Sequence, residues 1–147
     1  MPHLMEGLRV LAPSLILCVG ALACLLLEVS RPALRRLAGG LAIVTVIASA
    51  VSLYAIGRTP ADLPAAGLLA EVRTDLLTLG FAPAFYAGAL GALILLGRTL
   101  RDAGRDRAEY HALVLISTAG ALLMVQARDL IVLFLALETL SIPLYVL

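Results

Sequence analysis

Five apolar runs constrain this chain before any other feature is weighed: Leu8–Leu27, Leu37–Ile56, Leu76–Gly97, Tyr110–Val125 and Leu130–Leu147, with Gln126 carrying the fourth to an interface. Most come close to the ~20 residues that cross a hydrocarbon core ~30 Å thick. Lipid offers no water to backbone N–H and C=O groups, so a run of this length must close its hydrogen bonds within itself, as an α-helix. Runs that are apolar on every side carry no period that would refine this further. Composition agrees, since 62% of the residues are hydrophobic, well above a soluble domain. The expected fold class is all-α: a polytopic membrane helix bundle of about five transmembrane helices.

The first run is too long for the apolar core of a secretory signal. Its upstream flank carries a single Arg beside a Glu, and "LLLEVSRP" after it offers no clear small-residue cleavage site. It is read as a retained span. Orientation follows from arginine, because all eleven basic residues are Arg and none is Lys. Arg31, Arg35 and Arg36 follow the first run, and Arg98, Arg101, Arg105 and Arg107 follow the third. These loops share one side. The other side has Arg9, Arg58, Arg73 and Arg128, diluted by Glu6, Asp62, Glu71, Asp75 and Asp129. The positive-inside rule then puts the N-terminus outside.

Tyr54, Tyr110 and Tyr145 fall near expected interfaces, where an amphipathic ring is favoured, whereas Tyr86 falls in mid-span. The longest connection, Gly57–Thr74, contains the turn-rich "TPADLP" and then "GLLAEV"; it reads first as an ordered surface loop, with "GLLAEV" alternatively a short extended or helical piece lying on the membrane. Ala84, Gly88 and Ala92 in the third run, and Ser117, Gly120 and Ala121 in the fourth, form small-residue faces suited to close helix packing. Pro83 is expected to bend the third helix. Cys18 and Cys24 lie on different faces of one helix, about 9 Å apart along its axis, so they read as packing thiols. The net charge of +1 gives no electrostatic reason for a nucleic-acid partner. No metal-ligand spacing and no glycine-rich phosphate loop occurs.

Within the last run the exception is Glu138. Asp129 stands at the start of that helix, where a carboxylate can cap free amides. Glu138 follows nine residues later, about 13 Å deeper, near the bilayer midplane. An ionisable group there is costly, about 2.5–3.5 kcal/mol for an acid such as Asp on the lenient scales, and is functional by default. Ser141 and Tyr145 share its side of the helix, which suggests an inward polar stripe. Pro143 has no N–H for the Thr139 carbonyl, and that carbonyl then needs another donor. Acid, stripe and proline together suit a wet interior and a proton path. The competing reading is a neutral Glu138 that only ties two helices together. His111, at the far end of the fourth run, reads either as a proton relay or as a solvated interfacial side chain. Arg128 and Asp129 read as a solvated turn or as part of an outer mouth.

At these residues the chain resembles a known family. "AEYHALVLISTAGALLMVQARDLIVLFLALETLSIPLYVL" is similar to subunit N of NADH-quinone oxidoreductase, respiratory complex I. The resemblance rests on Asp129-Leu130, Glu138 and Leu140-Ser141-Ile142-Pro143-Leu144-Tyr145, and its close part covers Glu109–Leu147. Before that, the spans agree in number and orientation, and the outward loop ends in "TDLL", but the sequence match is weak. The Ser-Ile-Pro-Leu-Tyr tail favours subunit N over subunits M and L and over cation/proton antiporter subunits.

The resemblance implies an antiporter-like membrane subunit that takes part in proton translocation coupled to quinone reduction. Glu138 matches the family's helix-5 Glu, which pairs with a Lys two spans later. No Lys occurs in this chain. The chain stops where the fifth helix should leave the membrane, with no polar anchor. It is therefore read as the first third of a longer subunit, inactive as a pump by itself. The resemblance also implies a bacterial inner-membrane location, partners among the other complex I membrane subunits, and quinone, flavin and iron–sulfur clusters held by other subunits. The alternatives are a Mrp-type cation/proton antiporter or hydrogenase-linked paralogue, and a bundle that transports nothing.

Overall fold

The computed structural model describes residues 2–30, 35–57, 72, 74–102 and 108–147, with side chains described except at 2–7, 30, 35–36 and 99–102. Among the described residues five helices follow one another: α1 (Pro2–Ser30), α2 (Arg35–Gly57), α3 (Leu76–Asp102), α4 (Ala108–Gln126) and α5 (Leu130–Val146). Each apolar run is one helix. Among the described residues the extended pairing is a single antiparallel bridge, Val72 with Ala127. The first four helices hold segments long and apolar enough to cross a membrane: Leu8–Val29, Leu37–Gly57, Leu76–Arg98 and Ala108–Gln126. The fifth has 17 residues, about 25 Å, at the lower edge of the spanning range. So the expected all-α membrane bundle is what forms, with α5 a marginal span by length. The piece "GLLAEV" lies outside the described residues except for Val72. So do the side chains of Arg31, Arg35, Arg36, Arg58, Arg73, Arg101, Arg105 and Arg107, which carry most of the charge bias.

The sequence of α4 explains its place at the centre. Ser117, Thr118, Ala119, Gly120 and Ala121 are all buried, and such small side chains let neighbours approach from several directions. Accordingly α4 packs on α1, α2, α3 and α5. Leu115 and Leu122 of α4 are fully buried with Leu17, Leu53 and Leu93 from the other helices. Gly20 of α1 lies directly under the Thr45 side chain, so α1 and α2 run close together. Cys24 is buried with its Sγ 3.7 Å from the Ala38 carbonyl, while Cys18 is exposed and both are free. The two thiols are thus on different faces, as expected.

Three spans are laced together by a hydroxyl chain that begins at a proline. Ser49 Oγ of α2 lies 2.8 Å from the Pro13 carbonyl of α1 and 2.8 Å from Tyr86 Oη of α3. Ser49 donates to the carbonyl, which leaves Tyr86 to donate to Ser49. Tyr86 therefore sits in mid-span because its hydroxyl has a buried partner there. Ser49→Ala leaves both Tyr86 Oη and the chain without their centre. We expect it to lower unfolding stability by about 1–2 kcal/mol, the scale of interhelical hydrogen bonds in membranes, and Tyr86→Phe by less. Equal stability of Ser49→Ala and wild type in detergent unfolding would contradict this.

Carboxylates from different places meet the first described turns of α3 and α4. Asp75 caps α3: its Oδ1 accepts from the Thr78 amide at 2.9 Å and from the Thr78 hydroxyl at 3.1 Å. For α4 the carboxylate comes from α1, where Glu28 Oε2 accepts from the Ala108 amide at 2.8 Å. That bond ties the end of α1 to the first described turn of α4. The Thr78 amide, helped by the Thr78 hydroxyl and the Arg128 charge and opposed by burial, holds the Asp75 carboxyl below the usual carboxylate range. Its stabilisation is present above the ordinary carboxylate value of about 3.9 and is lost as pH falls through the folded value. Any thermal-stability advantage of wild type over Asp75→Asn should therefore shrink below about pH 4. Asp75→Ala should cost about 1 kcal/mol at neutral pH.

Candidate functional site

The surroundings of Glu138 follow from how α5 docks. α5 packs chiefly on α4, and the small residues of α4 decide which of its faces does so. A Cβ on Gly120 would stand 2.5 Å from the Leu140 nitrogen and 2.9 Å from Thr139 C, so the two backbones nearly touch there. Ser117 Oγ reaches the Leu140 carbonyl at 3.4 Å. Ala136 and Pro143 are the buried residues of α5. The docked face is therefore Ala136, Thr139, Leu140 and Pro143.

Glu138 lies on the other side of α5 and is exposed. Ser141, half-buried, and Tyr145, 86% exposed, share that side. The polar stripe forms with the expected period, but it does not turn into this bundle. The inward face expected of it is corrected: the α4 contact takes the small and proline-bearing side of α5, and the acid is left on the opposite one. Ser141 Oγ donates to the Leu137 carbonyl at 2.6 Å, and Thr139 Oγ1 to the Leu135 carbonyl at 2.8 Å. Both hydroxyls serve their own helix, so among described residues they do not form a wet interior.

The Asp129 carboxylate makes no capping bond; its backbone carbonyl accepts from Leu133 N at 2.9 Å instead. This is a second correction. The end of α5 is partly open, and water can meet amides that a side chain would otherwise cap. His111 is not a solvated interfacial side chain, being 1% exposed. It faces α2, where a Cβ on Gly39 would come 3.1 Å from its Nε2. His111 precedes Gly120 by nine residues, about 13 Å and half a turn out of phase. The structure thus puts His111 against α2 and does not bring it to Glu138. Ala84, Gly88 and Ala92 are exposed rather than packed. They line a groove of about 300 Å³ shared with Ser117, Leu140 and Leu144. Among the described residues no group of acid, His and Cys side chains could hold a metal ion.

Sequence reasoning missed the residues that lace the ends. Gln126 is 1% exposed and donates from Nε2 to the Val10 carbonyl at 3.4 Å and to Thr74 Oγ1 at 3.2 Å. Thr78 Oγ1 lies 3.3 Å from the Val125 carbonyl. Polar residues at the ends of apolar runs were the available signal.

Fold and site together define a class: a polytopic α-helical membrane protein with a carboxylate in mid-helix on an open face. No family model matches the chain. Curated relatives do. NADH-quinone oxidoreductase subunit N 1 of Koribacter versatilis is 32% identical over 142 residues, covering 92% of this chain and 28% of the relative. Subunit N 2 of Roseiflexus castenholzii is 40% identical over 113 residues, covering 76% of this chain and 22% of the relative. Subunit N of Chloroflexus aggregans is 35% identical over 143 residues, covering 95% and 28%. Over the stretch it covers, the chain belongs to the subunit N family of NADH-quinone oxidoreductases. It spans less than a third of the length of these relatives.

Proposed function

We propose that this chain is the N-terminal five-span part of a membrane subunit of NADH-quinone oxidoreductase, and that the subunit takes part in proton translocation coupled to quinone reduction. The observation that carries the reading is Glu138 itself. A carboxylate in mid-helix faces out of the bundle, where bare lipid would make it costly. A further segment that covers this face and supplies a cation and water removes that cost. In the family the cation is a Lys two spans later. Proton transfer through such a pair needs no bond but the O–H: Glu138 takes a proton from one side and gives it up when the neighbouring charge returns. Ser141 and Tyr145, on the same side, are the nearest hydroxyls for water that reaches it. Asp129 and Pro143 shape the start and the docking of α5. His111, buried against α2, does not stand beside Glu138 in this bundle.

The proposed setting is the bacterial inner membrane, N-terminus outside, among the other membrane subunits of complex I. Quinone, flavin and iron–sulfur clusters belong to other subunits. Names of the relatives support the oxidoreductase over a cation antiporter, since they refer to quinone. The test is purification of the tagged full-length subunit from its host. Co-purification with an assembly that oxidises NADH with quinone and acidifies vesicles supports the proposal. Recovery in an assembly without NADH-quinone activity overturns it.

A further inference from the structure

Ser14 Oγ and Gln126 Oε1 are buried side-chain atoms that have no hydrogen-bond partner among the described residues. Their residues are 3% and 1% exposed. Both residues border the same turn of α1. Gln126 Nε2 lies 3.4 Å from the Val10 carbonyl. Ser14 is four residues past Val10 on the same face, and the Cβ of a helical residue tilts toward the helix start, so its hydroxyl leans back toward Val10. Pro13 has no N–H to offer the carbonyl of Arg9, so another acceptor borders this turn. The Gln126 amide cannot escape by turning over. A flip would set its oxygen against the Val10 carbonyl, acceptor against acceptor, and lose that donor contact.

Buried polar atoms without partners are rare in native proteins, and enclosed polar spots with a few convergent groups are where single waters are held. We infer that one water molecule is bound between Ser14 Oγ and Gln126 Oε1. It donates one hydrogen to the amide oxygen and shares a hydrogen bond with the serine hydroxyl. It ties α1 to α4 and, through Gln126 and Thr74, to the segment that leads into α3. Its role is structural. A side-chain amide does not readily take up and release a proton, so the chain of groups ends at Gln126.

The test is a density map of the full-length subunit in its native assembly, at a resolution that shows ordered waters. A peak within hydrogen-bond distance of both atoms is expected, and its loss in Ser14→Ala. No peak in wild type, either atom turned onto a protein partner, or a peak unchanged in Ser14→Ala would overturn the inference. The assembled Ser14→Ala variant should melt earlier yet translocate protons at the wild-type rate. Lost translocation with full assembly would refute the structural role.

Discussion

Glu138→Gln in the full-length subunit is expected to cut NADH-driven proton translocation by roughly a hundredfold, the lower end of what a positioned proton-transfer group contributes. The amount of assembled complex should stay at the wild-type level. Gln keeps the length, the planar end and the hydrogen-bonding reach of Glu, but has no proton that titrates. Packing against whatever covers α5 should therefore survive while proton carriage fails. Glu138→Asp keeps the carboxyl and withdraws it by one methylene, so partial activity is expected. Acidification of reconstituted vesicles, normalised to assembled complex, separates these cases. Wild-type translocation in Glu138→Gln would remove the residue from the mechanism and favour a bundle that only supports its neighbours. Loss of assembly in Gln but not in Asp would make the charge a structural tie.

The helices were legible because bilayer thickness and unmet backbone groups leave an apolar run of this length one outcome. Position and period of the acid were legible for the same reason: Glu138, Ser141 and Tyr145 do share a side of α5. The direction of that side was not. It depends on which face of α5 fits the Gly120 surface of α4, and an apolar helix holds no pattern that ranks its faces. His111 shows the same limit. Its place in the chain suggested an interface, but its burial depends on the bulk of α2 beside it, at Gly39. The tie between Glu28 and α4 was beyond local reading too, because Glu28 lies eighty residues earlier than Ala108. Ser49 and Pro13 became a pair only when α1 and α2 were side by side. Local chemistry was readable here, and contacts between spans were not.

Gly120→Leu should separate α5 from α4, and Gly120→Ala should already show the effect. The nearest atoms to an added Cβ are Leu140 N at 2.5 Å and Leu140 Cα and Thr139 C at 2.9 Å. All are backbone, so no rotamer change makes room. Overpacking of this kind costs about 1–3 kcal/mol for one added group and more for a full side chain. The contrast with Gly88 isolates the cause. A Cβ there meets nothing within 4 Å, and Ala replaces Gly in mid-helix with a gain of up to about 1 kcal/mol in propensity. Gly88→Ala should thus unfold at or above the wild-type temperature, and Gly120→Ala several degrees below it. The consequence reaches Glu138, which sits two residues from Leu140 on the helix that moves. A displaced α5 changes where the acid stands relative to its cover, so Gly120→Leu should lose translocation as well as stability. Wild-type stability in Gly120→Ala would mean that the two backbones are not in contact, and the docked face of α5, with the outward direction of Glu138, would have to be assigned anew.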